Sequence, residues 1–331
     1  MITDRLPCAT LAHLPTPLEP LPRLSAHLGG PELWVKRDDQ TGLATGGNKA
    51  RKLEFLVADA MAKEADTLIT CGAAQSNHAR QTAAAAAKCG MDAVLGLRGE
   101  APEYVAGNLL LDHLLGVELE WSGDADPSDY MAGLAPRLKA RGRRPYVIPY
   151  GGSNAVGASG YVAALHELLA QAAEQKESFD TIVLASSSGG TQAGLALGAR
   201  LLGYQGHIIG ISVAPSAGDL QGSLASLATD TAALLDIDLA FAPGDFEVID
   251  DYVAGGYGVI SDLDREAIHL VARQEGLLLD PVYTGRAFGG LLDLIRRGRF
   301  SSEDTVLFWH TGGTGGLFAR SEELLAPNPG T

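Results

Sequence analysis

The 331-residue sequence predicts an α/β protein of open, twisted parallel sheets covered by helices. Two observations carry that prediction. Short aliphatic and β-branched runs alternate with longer stretches of helical periodicity along nearly the whole chain, and glycine pairs sit where runs of the first kind pass into the second. Parallel strands need crossover connections, usually helices, and ligands collect at the carboxyl ends of such strands.

The elements follow in order. Leu33 to Lys36 reads as a strand, and Lys49 to Ala62 as a helix with Leu53, Phe55, Leu56 and Ala60 as its apolar residues. Thr67 to Thr70 is a strand and Asn77 to Cys89 a helix, so the alanine run 83–87 is helical rather than low-complexity. Ala93 to Leu97 is a strand, Val105 to Leu115 a helix and Tyr146 to Ile148 a strand, before a long helix near Ala158 to Ala173. The second half repeats the style with strand Thr181 to Ala185, helix Gln192 to Leu202 and strand Ile208 to Ser212. Helices around Asp262 to Glu275 and Arg286 to Arg297 and a strand Thr305 to Trp309 complete the pattern. The opening residues read as an extended arm and the terminal APNPGT as a loose end.

Composition narrows the function classes. Hydrophobic residues make up 46% and charged residues 20%, which suits a globular chain with a sizeable core in one large or two modest domains. Lys plus Arg number 25 against 40 Asp plus Glu, and a net charge of −15 repels polyanions, which argues against nucleic acid and acidic membranes as partners. No apolar run is long enough to span a bilayer, and the first residues, broken by prolines and charges, do not resemble a signal peptide. Cys8, Cys71 and Cys89 are too few and scattered for a disulfide framework or a four-ligand zinc site, so a reducing cytoplasm is expected. The histidines show no HExxH spacing and no Gly-x-Ser-x-Gly elbow occurs, so neither metal-dependent nor serine hydrolysis is expected.

Four loops carry candidate chemistry. In TGGNKARKLEF, Lys49 follows a Gly-Gly-Asn turn inside the first turn of a helix, where the positive helix end disfavours the ammonium and favours a nucleophilic amine. The motif also fits a solvated lysine. Lys52 lies three residues on, on the same face, placed to meet an anion. ASSSGGTQAGL follows an apolar strand and opens a helix, as phosphate-binding turns do. It is neither a Walker loop nor G-x-G-x-x-G, because Ser187 stands where the latter needs glycine, so a single phosphate held without magnesium is expected. CGAAQSNHARQ offers Ser76 and Asn77 at a helix start, as caps or as carboxylate binders, with His78 as readily a core residue. Tyr283, in LLLDPVYTGRAFGG, is an acid, a base or a buried ring with its hydroxyl satisfied.

An activated lysine, a non-Walker phosphate turn and hydroxyl-lined helix ends together suggest pyridoxal phosphate held as a Schiff base. The chain resembles the pyridoxal-phosphate enzymes of the tryptophan-synthase-β fold (fold type II), within them the D-cysteine desulfhydrase and 1-aminocyclopropane-1-carboxylate deaminase family. The resemblance runs in order through LPTPLEPLPRLS, KRDD, GGNKARKLEFL, QSNHARQTAA, PYGGSNAVGASGYV, SSGGTQAGL, GGYGV, DPVYTG and HTGG. After HTGG the chain departs from the family's usual Ala-Leu-Phe run.

The resemblance implies two α/β domains, a large one of residues 1–47 and 163–331 and a small one of residues 48–162, with the cofactor between them. It implies that Lys49 is the Schiff-base lysine, Asn77 the partner of the ring oxygen, and Ser188, Gly189, Gly190 and Thr191 the phosphate cup with Lys52 added. Ser76 and Gln75 are expected at the substrate carboxylate, and Tyr257 and Tyr283 in the active site. Thr284 and Thr311 replace the deaminase's glutamate and leucine, and a neutral hydroxyl opposite the ring nitrogen suits prompt β-elimination over cyclopropane opening. The implied activity is conversion of a small β-substituted amino acid to pyruvate and ammonia, with Lys49 or Tyr283 taking the Cα proton. D-cysteine is the first expected substrate and L-cysteate, which loses sulfite, the alternative, with Arg286 as its candidate sulfonate partner. A homodimer is implied in the same way. A silent binding protein on the same fold and a dinucleotide oxidoreductase are the readings from other classes.

Overall fold

The computed structural model describes residues 2–253 and 255–326. The terminal segment expected to be loose lies, from residue 327 on, outside them. Among the described residues, ten strands form two sheets. The first, six-stranded sheet uses β1 (Leu18–Pro20), β2 (Glu32–Arg37), β7 (Thr181–Ser186), β8 (His207–Ser212), β9 (Glu247–Ile249) and β10 (Thr305–His310), in the order β1-β2-β10-β7-β8-β9. The second has four, β3 (Thr67–Gly72), β4 (Asp92–Leu97), β5 (Glu118–Trp121) and β6 (Pro145–Val147), in the order β5-β4-β3-β6. All these strand pairs are parallel except the edge pair β1 and β2.

The longer helices that cover these sheets are α1 (Pro22–Leu28), α2 (Lys49–Ala62), α3 (Asn77–Cys89), α4 (Gly107–Leu114), α5 (Pro127–Ala140), α6 (Ala155–Gln175), α7 (Gly190–Leu202), α8 (Ala217–Leu234), α9 (Asp262–Glu275) and α10 (Thr284–Arg296). Both faces of the large sheet are buried, as the continuous apolar strands require. Along β10, Val306 and Phe308 pack into a core with α9 and α10, while the alternate Leu307 and Trp309 join Tyr161, Leu165 and Leu168 of α6 on the other face. In the small sheet, Ile69 and Val94 meet Met131, Leu134 and Leu138 of α5, and Leu68 and Ala93 meet α2 and α3.

The expected elements are present, and the structure adds α1, α5, α8 and strands β1, β5 and β9, which the sequence pattern does not mark. α8 is the largest addition, built from small residues around a stripe of Leu220, Leu224, Ala228 and Ala232. The opening arm begins with a 3₁₀ turn at Ile2–Arg5 rather than in extended form.

A buried polar knot fixes α2 against the large sheet. Asp38 accepts from the Arg51 guanidinium at 2.8 Å, Thr16 Oγ1 at 2.9 Å, Tyr161 at 2.6 Å and Trp309 Nε1 at 2.8 Å. Burial alone would raise this carboxyl, but Arg51 and its other donors hold it below the usual range. Arg51 also donates to Glu167 of α6, as does Lys36 of β2. These contacts set the direction in which α2 presents its first turn.

Candidate active site

The turn into α2 is built for close approach. Gly46 has φ +70°, and a Cβ there would stand 1.9 Å from the Asp39 carbonyl oxygen, so no other residue fits. The Gly47 amide donates to Asp38 O at 2.9 Å, and the Asn48 amide donates to Thr311 O at 2.9 Å, which fastens the turn to the ends of β2 and β10. Lys49 is then the first residue of a helix with no acidic residue in its first turn. Its amine is lowered to about 8 by burial. Lys52, one turn on and buried, is lowered well below the ordinary value by burial first and by Lys49 second. Its Nζ reaches Gly151 O and Ser153 Oγ, both at 3.2 Å. Among the described residues neither amine has a carboxylate partner.

Opposite stands the turn from β7 into α7. Gly189 has φ +85°, and a Cβ on Gly190 would come within 2.7 Å of Lys52 Nζ. Ser153 ties the turn to the loop before α6, accepting from the Gly190 amide at 3.0 Å and meeting Ser188 Oγ at 2.8 Å. Asn48 Nδ2 donates to Thr191 Oγ1 at 3.0 Å, joining this turn to that of Lys49. Ser188, Gly189 and Thr191 line one cavity together with Lys49 and Lys52, and Gly190 stands behind them. Ser186 Oγ, also on the wall, is buried without a hydrogen-bond partner. The half-buried Lys49 and buried Lys52 amines, both lacking an acid, the start of a 13-residue helix and the unpartnered Ser186 hydroxyl fit a dianionic phosphate attached to an aldehyde. The donor set therefore accommodates pyridoxal phosphate.

The third wall is the start of α3. Ser76 caps it, accepting from the Ala79 amide at 3.1 Å, and Ser76, Asn77 and His78 all line the cavity. His78 is buried with Nε2 2.9 Å from Thr70 Oγ1, and burial, with Lys49 and Lys52 adding, keeps its ring neutral. Gln75 turns away from the cavity: its amide donates to Ala106 O at 3.0 Å and accepts from the Asn108 amide at 2.9 Å, so it anchors the loop before α4 instead of facing substrate.

Tyr283 and Thr311 close the cavity. The Tyr283 phenol meets that of Tyr257 at 2.7 Å, and Tyr257 also bonds Tyr150, so it touches the site through two lining phenols instead of lining it. Burial, with Tyr257 and Tyr150 adding, raises Tyr283 well above its ordinary value, and the phenol keeps its proton. Thr284 corrects an expectation. As the first residue of α10 it is fully buried and locked to Asp280, its hydroxyl donating to Oδ1 and accepting from the Asp280 amide, both at 2.7 Å, so Thr311 alone of the threonine pair faces inward. Arg286 corrects another, because, two residues on, it is fully buried and spent on Val213 O at 2.7 Å, on Gly256 O and Val259 O, and on Asp264. The sequence reading missed Asn48, Tyr150 and Ser153; the PYGGSN motif was the available signal for the last two.

Residues 9–312 match the model of the pyridoxal-phosphate dependent enzyme family. The chain is 48% identical over 327 residues to a D-cysteine desulfhydrase of Klebsiella pneumoniae strain 342, covering 97% of this chain and 98% of the relative. A crystal structure of an ACC deaminase homologue superposes with a TM-score of 0.91 at 42% identity, covering 98% of this chain and 97% of that one. A fungal L-serine ammonia-lyase from Rhizomucor miehei shares the fold at a TM-score of 0.66 and 18% identity, covering 95% of this chain and 98% of that one. With Lys49, the turn into α7 and the start of α3 gathered around one cavity, this chain belongs to the family of pyridoxal-phosphate dependent enzymes.

Proposed function

We propose that this chain is a carbon–sulfur lyase converting D-cysteine and water to pyruvate, ammonia and hydrogen sulfide. The observation that carries the reading is Lys49, an amine lowered to about 8 in the same cavity as the Ser188–Thr191 turn and the protonated Tyr283. The D-cysteine desulfhydrase at 48% identity supports the substrate. Lys49 would hold the cofactor's aldehyde, Ser188, Gly189, Gly190, Thr191 and Lys52 its phosphate, and Asn77 its ring oxygen, with Thr311 as a further cofactor contact. Bound pyridoxal phosphate supplies the electron sink that acidifies the Cα–H bond. Ser76 and the α3 amides receive the substrate carboxylate at a positive helix end. The Lys49 amine would take the Cα proton, since the Tyr283 phenol is not ionised and would serve as proton donor to the departing sulfur.

Among the described residues no acidic side chain lines the cavity, which suits a neutral ring environment and elimination over cyclopropane opening. L-cysteate loses its support because Arg286 is spent elsewhere. We assign residues 48–162 to a small domain and 1–47 with 163–331 to a large one, and take the enzyme to be a cytoplasmic homodimer on kinship; sedimentation tests the dimer. Among the described residues no helix is long and apolar enough to cross a membrane and no group of three or more His, Cys, Asp or Glu could hold a metal ion. Pyruvate release across D-cysteine, L-cysteine, L-cysteate, β-chloro-D-alanine and 1-aminocyclopropane-1-carboxylate tests the substrate. D-cysteine is expected to exceed L-cysteate by at least about tenfold in kcat/KM, and a preference for L-cysteate overturns the reading.

A further inference from the structure

A side-chain amide is chemically two-faced, one end accepting and the other donating, so its orientation is settled only by what holds it. Asn77 stands at the cavity with its Oδ1 2.7 Å from Asn108 Nδ2 of α4. Asn108 is fully buried, and its own orientation is fixed from the other side, where Arg80 Nε donates to its Oδ1 at 3.1 Å. A guanidinium has no acceptor, and although burial lowers Arg80 to about 10 it still carries its charge at neutral pH. The Asn108 amide therefore turns its NH2 group the other way, where Nδ2 also donates to Gln75 O at 2.9 Å. Arg80 is itself held, donating to Ala44 O at 2.5 Å and Gly46 O at 3.0 Å in the turn that leads to Lys49. The polarity thus runs one way, from a group that can only donate, through two amides, to the cavity.

We propose that Arg80 and Asn108 are positioning residues that force Asn77 to present its NH2 group, and not its oxygen, to the cofactor. This rests on the assignment of Asn77 to the ring oxygen made above. A donor at that oxygen favours its anionic form, whereas an acceptor there favours the neutral hydroxyl, and the two absorb differently, the first in the visible and the second in the near ultraviolet. The same three residues link the Lys49 turn, α3 and α4, so the electronic setting of the ring and the placement of the lysine share one support.

Asn108→Asp tests this with almost no change of shape. The carboxylate still accepts from Arg80 but cannot donate to Asn77, so the Asn77 amide reverses. In the cofactor-loaded enzyme the absorbance is expected to move from the visible band towards the near ultraviolet, with kcat/KM for D-cysteine falling about tenfold, the scale of one hydrogen bond. Asn77→Ala is measured beside it, with the double variant. Equal band shifts in both single variants and no further shift in the double one support the proposal. A shift in Asn77→Ala with none in Asn108→Asp overturns it while leaving the role of Asn77 intact. No shift in Asn77→Ala overturns the underlying assignment instead. Should Asn108→Asp fail to accumulate as folded protein, Asn108→Ser, which frees Asn77 to rotate, is expected to give a smaller shift in the same direction, and an unaltered spectrum there overturns the proposal.

Discussion

The pH dependence of cofactor loading gives the Lys49 assignment its sharpest test. Only the neutral amine can attack an aldehyde, so the loading rate follows the fraction of Lys49 that has lost its proton. With the amine at about 8, roughly 9% is neutral at pH 7 and about 90% at pH 9. A lysine at its ordinary 10.5 would be about 0.03% neutral at pH 7, so burial enriches the reactive form roughly 300-fold. The rate at which cofactor-free protein takes up pyridoxal phosphate, followed by visible absorbance, should rise about tenfold from pH 7 to pH 9 and then level off. A rate still climbing tenfold per pH unit at pH 10 would refute the assignment of a desolvated amine, and borohydride label recovered on another lysine would refute the choice of residue. The same shift has a stability sign. Between about 8 and 10.5 the unfolded chain keeps this proton and the folded chain does not, so the contribution of Lys49 makes the cofactor-free protein more stable as pH rises through that window.

Other substitutions separate the roles around that amine. Lys52→Met removes the second unpaired cation from the phosphate turn, and pyridoxal phosphate should dissociate at least about tenfold more readily in equilibrium dialysis while the loaded fraction keeps its colour. Tyr283→Phe should leave cofactor binding and colour unchanged and lower kcat for pyruvate release by about a hundredfold, with little change in KM; wild-type kcat would sink the phenol as a proton donor. Arg286→Ala takes the guanidinium away from three carbonyls and from the buried Asp264, which keeps only the Ser261 amide, so urea denaturation should show a loss of about 3 kcal/mol or more. Its ratio of D-cysteine to L-cysteate turnover should stay that of the wild type.

How much of this was legible depended on whether a local signal marked each feature. α3 and α9 were read to the residue because their ends carry their own signals. Ser76 caps α3 and Gly90 stops it in the left-handed region, while Ser261 and Asp264 form a reciprocal box at α9, which ends at Gly276. α5 is crossed by Gly133 and Pro136, and α8 hides its stripe among Ala, Ser, Gly and Thr, so neither shows the strong periodicity that announces a helix. The site divides the same way. The glycine turns at Gly46 and Gly189 were visible because only glycine meets their backbone needs. Thr284 was placed by resemblance and Gln75 and Arg286 by adjacency to a motif, but neither says which way a side chain turns. Thr284 bends back to the Asp280 carboxylate, and the first turns of α10 bury Arg286 against three carbonyls.

The unifying constraint is the charge on α2. Its first turn carries Lys49, Arg51 and Lys52, three cations withdrawn from water to differing degrees within four residues. Arg51 points to the sheet side, where Asp38 and Glu167 answer it fully and pull its guanidinium further towards the charged form. Lys49 and Lys52, three apart, share the other face and find no acid there, so burial lowers both. Replacing either by a neutral residue of like shape would relieve the folded chain of a desolvation cost that nothing in its own structure offsets. A chain that keeps two such amines side by side at a helix start, facing hydroxyls and a second helix start, is organised around an anion that arrives from outside. The paired Arg51 supplies the rigidity with which that face is held, and the unpaired lysines supply the reason the face binds.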